Sequence, residues 1–227
     1  FQDYISKLPL FATSEKGFKN LSRLSSKSYL EIKPNESPHC LFYDLLDHND
    51  DVIVLSGGVR DFFGGLFKLN KLKQLEDLLK KINNTFKDKF YLEIQRHNEE
   101  NEKSFEDYLI AISKKLDIPL IASQEIFYIN KDMYEAHDAL ICIGEKSYIS
   151  DVNRLKYNDQ HYLKKQEELK KLFSDIPEAL ENNYNFPYRF HFKINKNEPN
   201  LPKIETTNSQ SIQNKLLSEA EQGLEKR

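Results

Sequence analysis

The residue types that could support metal or acid–base chemistry gather first around His97, which follows Arg96 and is succeeded by Glu99, Glu100 and Glu102. An imidazole beside several carboxylates has the donor atoms a divalent cation uses. Loop carboxylates converge only when something rigid holds them, so we read the run as a solvated loop. It leads into a helix whose positive N-terminal end favours acidic residues. His97 itself reads as a structural, hydrogen-bonding imidazole. His137 and Asp138 are adjacent in a helical stretch, where neighbours point about 100° apart and do not meet on one ion. His137 therefore reads as helix packing or an interdomain hydrogen bond. Cys40 and Cys142 form no metal-spaced pair and read as buried free thiols of a reducing compartment. Arg96, Arg154, Lys156, Lys164 and Lys165 carry charge that could meet phosphate; solvated surface is the ordinary reading of each. Only seven glycines in the chain argue against a glycine-built phosphate loop.

Several elements have to position these groups. Asp51–Ser56, a β-branched apolar run closed by Gly57-Gly58, reads as a buried strand. Phe90–Gln95 and Pro119–Ala122 read as two more, and Lys7–Ala12 is a short apolar run. Between them, Phe18, Leu21 and Leu24 share a helical face behind a Ser14 cap. Leu69, Leu72, Leu75, Leu79 and Ile82 repeat at helical spacing, as do Phe105, Leu109, Ile112 and Leu116. Strands alternating with helices imply an α/β fold with βαβ units and a parallel sheet or barrel. After Ile129 the pattern turns mostly helical, with a stripe of Met133, Ala136, Leu140 and Ile143 and a helix opened by Pro177. Asn185–Asn208, with three prolines, reads as a linker or extended traverse, and Ser211–Lys226 as an amphipathic helix.

The chain has 227 residues, 39% hydrophobic and 30% charged, with a net charge of −3. That suits a soluble globular protein of one good-sized domain, or one domain and part of another. A free-standing nucleic-acid binder would carry a basic balance that this chain lacks. No apolar run reaches the ~20 residues of a membrane span, and no signal-peptide pattern appears, so we expect a cytoplasmic protein with no membrane partner. The chain starts at Phe1 rather than Met, which we read as a segment of a longer protein.

Several blocks carry a resemblance. They are Leu55-Ser-Gly57, Tyr91-Leu-Glu-Ile-Gln-Arg-His97, Ile118–Asn130, Glu135–Ile143, Ser150–Arg154, Gln160-His-Tyr-Leu-Lys164 and Leu172–Asn182. Glu15–Leu21 with Ser26–Glu31, Asn200-Leu-Pro-Lys203 and Glu221–Arg227 extend it along nearly the whole chain. In this order they resemble the alpha subunits of bacterial DNA polymerase III, over the polymerase-and-histidinol-phosphatase (PHP) domain and the segment after it. The resemblance implies part of a distorted seven-stranded βα barrel followed by a mostly helical segment leading into the polymerase palm. Residues 1–184 would be the C-terminal part of the PHP domain with its helical extension, and 185–227 the linker and first palm helix.

The resemblance also implies ligand positions at the C-terminal strand ends, and there this chain departs from the family. Lys7 stands where metal-binding members have His, Gly58 where they have Cys, and Glu125 and Phe127 where they have an Asp-x-His pair. An ammonium, a glycine and a phenyl ring offer no lone pair, and one carboxylate is not a site. The expectation is a degenerate, metal-free PHP scaffold with no catalytic residue and no cofactor of its own. Magnesium, primed DNA, the proofreading exonuclease subunit and other replicase subunits would belong to the parent polymerase. Two alternatives stay open: an active metal-dependent phosphoesterase or 3′-exonuclease using Glu125, and a non-functional split-gene fragment.

Overall fold

The computed structural model of the protein describes residues 4–196, 198–199 and 211–227. Three apolar runs become strands: β2 (Val52–Leu55), β3 (Phe90–Ile94) and β4 (Leu120–Ala122), each buried at every position. Burial on both faces is what parallel strands under helices require. The run from Lys7 contributes β1 (Leu10–Ala12). Together they make a four-stranded sheet in the order β1-β2-β3-β4, with β1 antiparallel to β2 and the other pairs parallel. The four strands are those of the described residues.

Helices supply the crossovers. Between β1 and β2 lie α1 (Glu15–Leu30) and α2 (Phe42–Asp47). Between β2 and β3 lie α3 (Phe62–Lys68) and α4 (Leu72–Phe86), and α5 (Glu102–Leu116) joins β3 to β4. Beyond β4 the chain is helical, with α6 (Tyr134–Glu145), α7 (Gln166–Leu172) and α8 (Pro177–Asn185). The strand period of two sorts the core into layers. Val52, Val54, Phe90, Leu92, Ile94, Leu120 and Ala122 pack with Leu75, Leu79, Ile82, Phe105, Leu109, Ile112 and Ala179 from the helices. Ile53, Leu55, Tyr91 and Ile121 face the other way and are covered by Phe186 and Phe190. The stretch expected as a linker thus begins by packing on the sheet.

Side chains from α8 finish β4. Asn182 Nδ2 donates to the Leu120 carbonyl and Asn183 Nδ2 to the Ala122 carbonyl, both at 2.7 Å. Toward β3, Leu92 N donates to the Pro119 carbonyl just before β4, and Ser123 N just after it donates to the Ile94 carbonyl.

Two helical faces differ from expectation. Ser14 does cap α1, accepting from Gly17 N at 3.2 Å. The face α1 buries, however, is Gly17, Asn20 and Leu24, while Phe18 is exposed. Asn20 donates to the Asp50 carbonyl, and a Cβ on Gly17 would lie 2.0 Å from the Asp51 carbonyl oxygen, so close backbone approach sets the face. On α6 and the turn before it the stripe of Met133, Ala136, Leu140 and Ile143 points outward, with Ile143 75% exposed. Asp138 and Cys142 face inward instead, because Asp138 meets Arg154; of the two thiols expected to be buried, Cys142 is and Cys40 is exposed.

Residues from Lys193 form a second unit. It holds α9 (Ile212–Glu225), capped by Ser211, with Ile212, Leu216, Leu217 and Leu224 all exposed. The block Asn200–Lys203 lies outside the described residues. Among the described residues no helix is long and apolar enough to cross a membrane.

Candidate functional site

The parallel strands β2, β3 and β4 end on the same side of the sheet, and open α/β folds place their chemistry beyond such ends. Antiparallel β1 delivers Lys7 to that side: Phe62 N donates to the Lys7 carbonyl at 3.0 Å. Gly57 and Gly58 follow β2, Gln95 to Glu99 follow β3, and Ser123 to Phe127 follow β4. The four expected positions Lys7, Gly58, Glu125 and Phe127 thus lie around one end of the sheet.

The space at Gly58 and Phe127 is filled, and Glu125 is turned to another use. Above Gly58 a Cβ would lie 2.1 Å from Gln95 Oε1, so the Gln95 amide occupies the space of a side chain there. Gln95 Nε2 in turn donates to Glu93 at 2.9 Å. The Phe127 ring packs among His137, Tyr157 and His161, with centroids 5.2, 4.3 and 5.1 Å away. Glu125 contributes its backbone: its N–H donates to His97 Nε2 at 3.2 Å, and its carbonyl meets His161 Nδ1 at 3.0 Å. Its carboxylate is 40% exposed. Among the described residues no three His, Cys, Asp or Glu side chains are grouped as a metal ion would require. Of the four positions, Lys7, Gly58 and Phe127 carry no side chain that donates to a metal, and Glu125 carries one carboxylate.

His97 is buried and makes the structural hydrogen bond expected of it, and it also stacks on His161 at 4.3 Å with the rings 3° from parallel. His137 serves in helix packing through its stack on Phe127. The acidic run is not the solvated loop we expected. Glu102 accepts from the backbone N–H groups of His97 and Glu99, and Glu99 pairs with Arg60 at 2.6 Å and His161 at 3.2 Å. Glu100 alone of the three is exposed. Burial pushes the Glu99 carboxyl up, but hydrogen bonds from His161 and Arg60 outweigh it and hold the group below the usual carboxylate range.

The two arginines suggested for phosphate are both held by carboxylates. Arg96 pairs with Glu106 at 2.8 Å and Asp175 at 2.7 Å, and also donates to the Leu172 carbonyl. Arg154 grips Asp138 through two bonds of 2.6 and 2.7 Å, with only 3% of its side chain exposed. Their charge is spent inside the fold, which weighs against a phosphate role for either. Lys164, also raised for phosphate, is buried and donates to the Gln160 carbonyl.

Sequence reasoning missed Arg60, Asn158, His161 and the buried carboxyl of Glu93. Glu93 sits on β3 with Ser123 and Gln95 donating to one oxygen, while the other has no partner among the described residues. Burial pushes its carboxyl above the usual range, and nearby Asp61, itself raised by burial, adds to that. A lone carboxylate in the middle of an apolar strand was the available signal. His161 lay within the Gln-His-Tyr-Leu-Lys block, but nothing local marks its partners.

A family model described as "PHP domain" matches residues 2–97. The sequence is 32% identical over 220 residues, 97% of this chain, to "DNA polymerase III subunit alpha" of Caulobacter vibrioides. It is 33% identical over 96% of the chain to the protein of that name from Rickettsia bellii, and 32% over the whole chain to that from Vibrio cholerae. These matches cover 19 to 20% of the relatives' lengths, so the chain spans about a fifth of the proteins it resembles.

Proposed function

We propose, from a PHP domain over residues 2–97 and similarity along nearly the whole chain to DNA polymerase III alpha subunits, that this chain works as a segment of a replicative polymerase. The parent's activity would be DNA-templated DNA synthesis, a nucleotidyl transfer using magnesium held by palm aspartates that lie outside this chain. The segment's part is support. Its sheet and helices are a portion of the distorted seven-stranded PHP barrel, and the chain from residue 185 leads toward the palm. Primed DNA and the other replicase subunits reach it through the parent in the cytoplasm, and the proofreading exonuclease subunit docks on the PHP scaffold.

One observation carries the metal-free reading. The positions that hold ligands in metal-binding relatives are a lysine, a glycine backed by Gln95 and a phenylalanine packed among three rings. Zinc and its relatives need three or four convergent N, O or S donors, and Glu125 alone offers one. No hydrolytic step follows from this arrangement.

The deciding experiment measures metal content after equilibration with zinc and with manganese, alongside a 3′-exonuclease assay on the parent chain. We expect neither stoichiometric metal nor nuclease activity. Metal at one equivalent with nuclease activity would make this a working phosphoesterase and end the scaffold reading. Retention of the exonuclease subunit on the immobilised parent chain tests the docking role.

A further inference from the structure

Three N–H donors and one imidazole nitrogen converge on a single internal carboxylate. Arg60 Nη2 and Nε lie 2.6 and 3.1 Å from Glu99 Oε2. His161 Nε2 lies 3.2 Å and Asn158 Nδ2 3.4 Å from Glu99 Oε1. They come from two stretches well separated in sequence, the turn after β2 and the segment 156–164.

Each donor is aimed by contacts that do not involve Glu99. The Arg60 guanidinium lies 4.6 Å over the Tyr157 ring and also donates to the Lys156 carbonyl at 3.1 Å. Asn158 Nδ2 donates to the His97 carbonyl, and Asn158 Oδ1 accepts from Gln160 N at 2.9 Å. His161 is fixed by its stack on His97, by the Phe127 ring and by the Glu125 carbonyl. Its backbone carbonyl accepts from Phe127 N at 2.9 Å. Removing the Glu99 side chain would leave these donors pointing into the space it vacates.

Such a set suits an oxyanion. The guanidinium places two N–H groups on one oxygen, Glu99 Oε2, while Asn158 and His161 meet the other; charge-assisted bonds of this kind suit carboxylate and phosphate oxygens alike, and groups fixed in advance lose little freedom on binding. Size selects the ligand. Side-chain exposures of 1% at His161 and 13% at Glu99, against 35% at Arg60, describe a nearly closed place entered beside the guanidinium. We propose that Arg60, Asn158 and His161 form a seat for a small free oxyanion of the phosphate class, which the chain fills with its own Glu99 carboxylate. In the native chain an external anion competes with a tethered carboxylate at high effective concentration and loses. The same filling laces the segment 156–164 across the strand ends. The proposal stands on hydrogen-bond geometry and does not depend on the polymerase reading.

Glu99→Ala in the full chain tests it, with inorganic phosphate as the probe. Thermal unfolding is followed while phosphate replaces chloride at constant ionic strength. Wild type, Glu99→Ala and Glu99→Ala/Arg60→Met are compared, because phosphate also stabilises folded proteins generally. The single variant should gain a saturable rise in Tm that the other two lack, as expected for a ligand bound only by the folded state. A folded single variant with no such rise sinks the proposal. An equal rise in all three means an adventitious ion only, and sinks it too. If Glu99→Ala does not fold in chloride, refolding in phosphate becomes the readout: recovery supports the seat and failure to recover refutes it.

Discussion

Gly57 turns the chain at the end of β2 with φ at +76°, and a Cβ there would stand 2.6 Å from the Asp61 Cβ. Both the backbone and the space exclude a side chain, so Gly57→Ala should cost about 2 kcal/mol, read from urea unfolding. Gly58 is a different case. The atom its Cβ would meet is the far end of Gln95, which can swing away, so Gly58→Cys should fold. It should still bind no metal. We expect Gly58→Cys/Phe127→His to retain no stoichiometric zinc after dialysis, since Lys7 remains and the ring pocket of Phe127 was built for packing. One equivalent of tightly held zinc would show that the scaffold has kept more of a metal site than we argue. Arg96 offers a third check. Its guanidinium grips Glu106, only 3% exposed, through two bonds of 2.8 Å. A lysine cannot reproduce that fork, so Arg96→Lys should lower stability by about 1–2 kcal/mol. An unchanged urea midpoint would mean the pair contributes nothing.

The elements themselves carry spare stability. Gly144 lies in α6 with open space where a Cβ would stand, so Gly144→Ala should raise stability by roughly 0.5–1 kcal/mol. A fall in Tm would indicate that the helix end needs glycine's freedom. Strands and helices were legible because apolar runs and helical spacing are local signals: Val52–Leu55, Phe90–Ile94 and the Leu75/Leu79/Ile82 face all stand where the pattern puts them. Which way α6 faces was not legible. Its apolar stripe points outward because Asp138 is drawn inward to Arg154, sixteen residues away. No helical period encodes such a partner. The same limit hid the oxyanion seat, whose groups lie 39 and 62 residues from Glu99 along the chain. The expected ligand positions were readable only through the family resemblance. What fills them, Gln95 and the rings around Phe127, comes from the packed structure.

At the scale of the whole molecule, stability has two opposed pH dependences. A hydrogen bond from Arg154 lowers the Asp138 carboxyl, one from Arg96 lowers Asp175, and Glu99 is lowered on balance as described. Each stabilises the fold above the unfolded-state pKa, about 4, and that contribution is lost as pH falls through the folded value. Glu93 and Asp61 are raised by burial. Their contribution is full below the unfolded pKa and lost as pH rises through the folded one. Glu93→Gln, neutral at every pH, should therefore flatten the decline in urea midpoint as pH rises from about 4 while leaving the loss on acidification in place; an unaltered decline would show that the buried carboxyl does not govern it. The asparagines of α8 act at this scale as well. A strand with bare outward carbonyls is a template on which another chain can lay a strand of its own, and growth from it needs no further invitation. Asn182 and Asn183 occupy those acceptors on β4, so the chain's colloidal behaviour rests partly on two amide groups. Alanine at both positions should turn a concentration-independent solution into one whose light scattering rises with concentration, with thioflavin-positive material forming from the β4 side of the sheet.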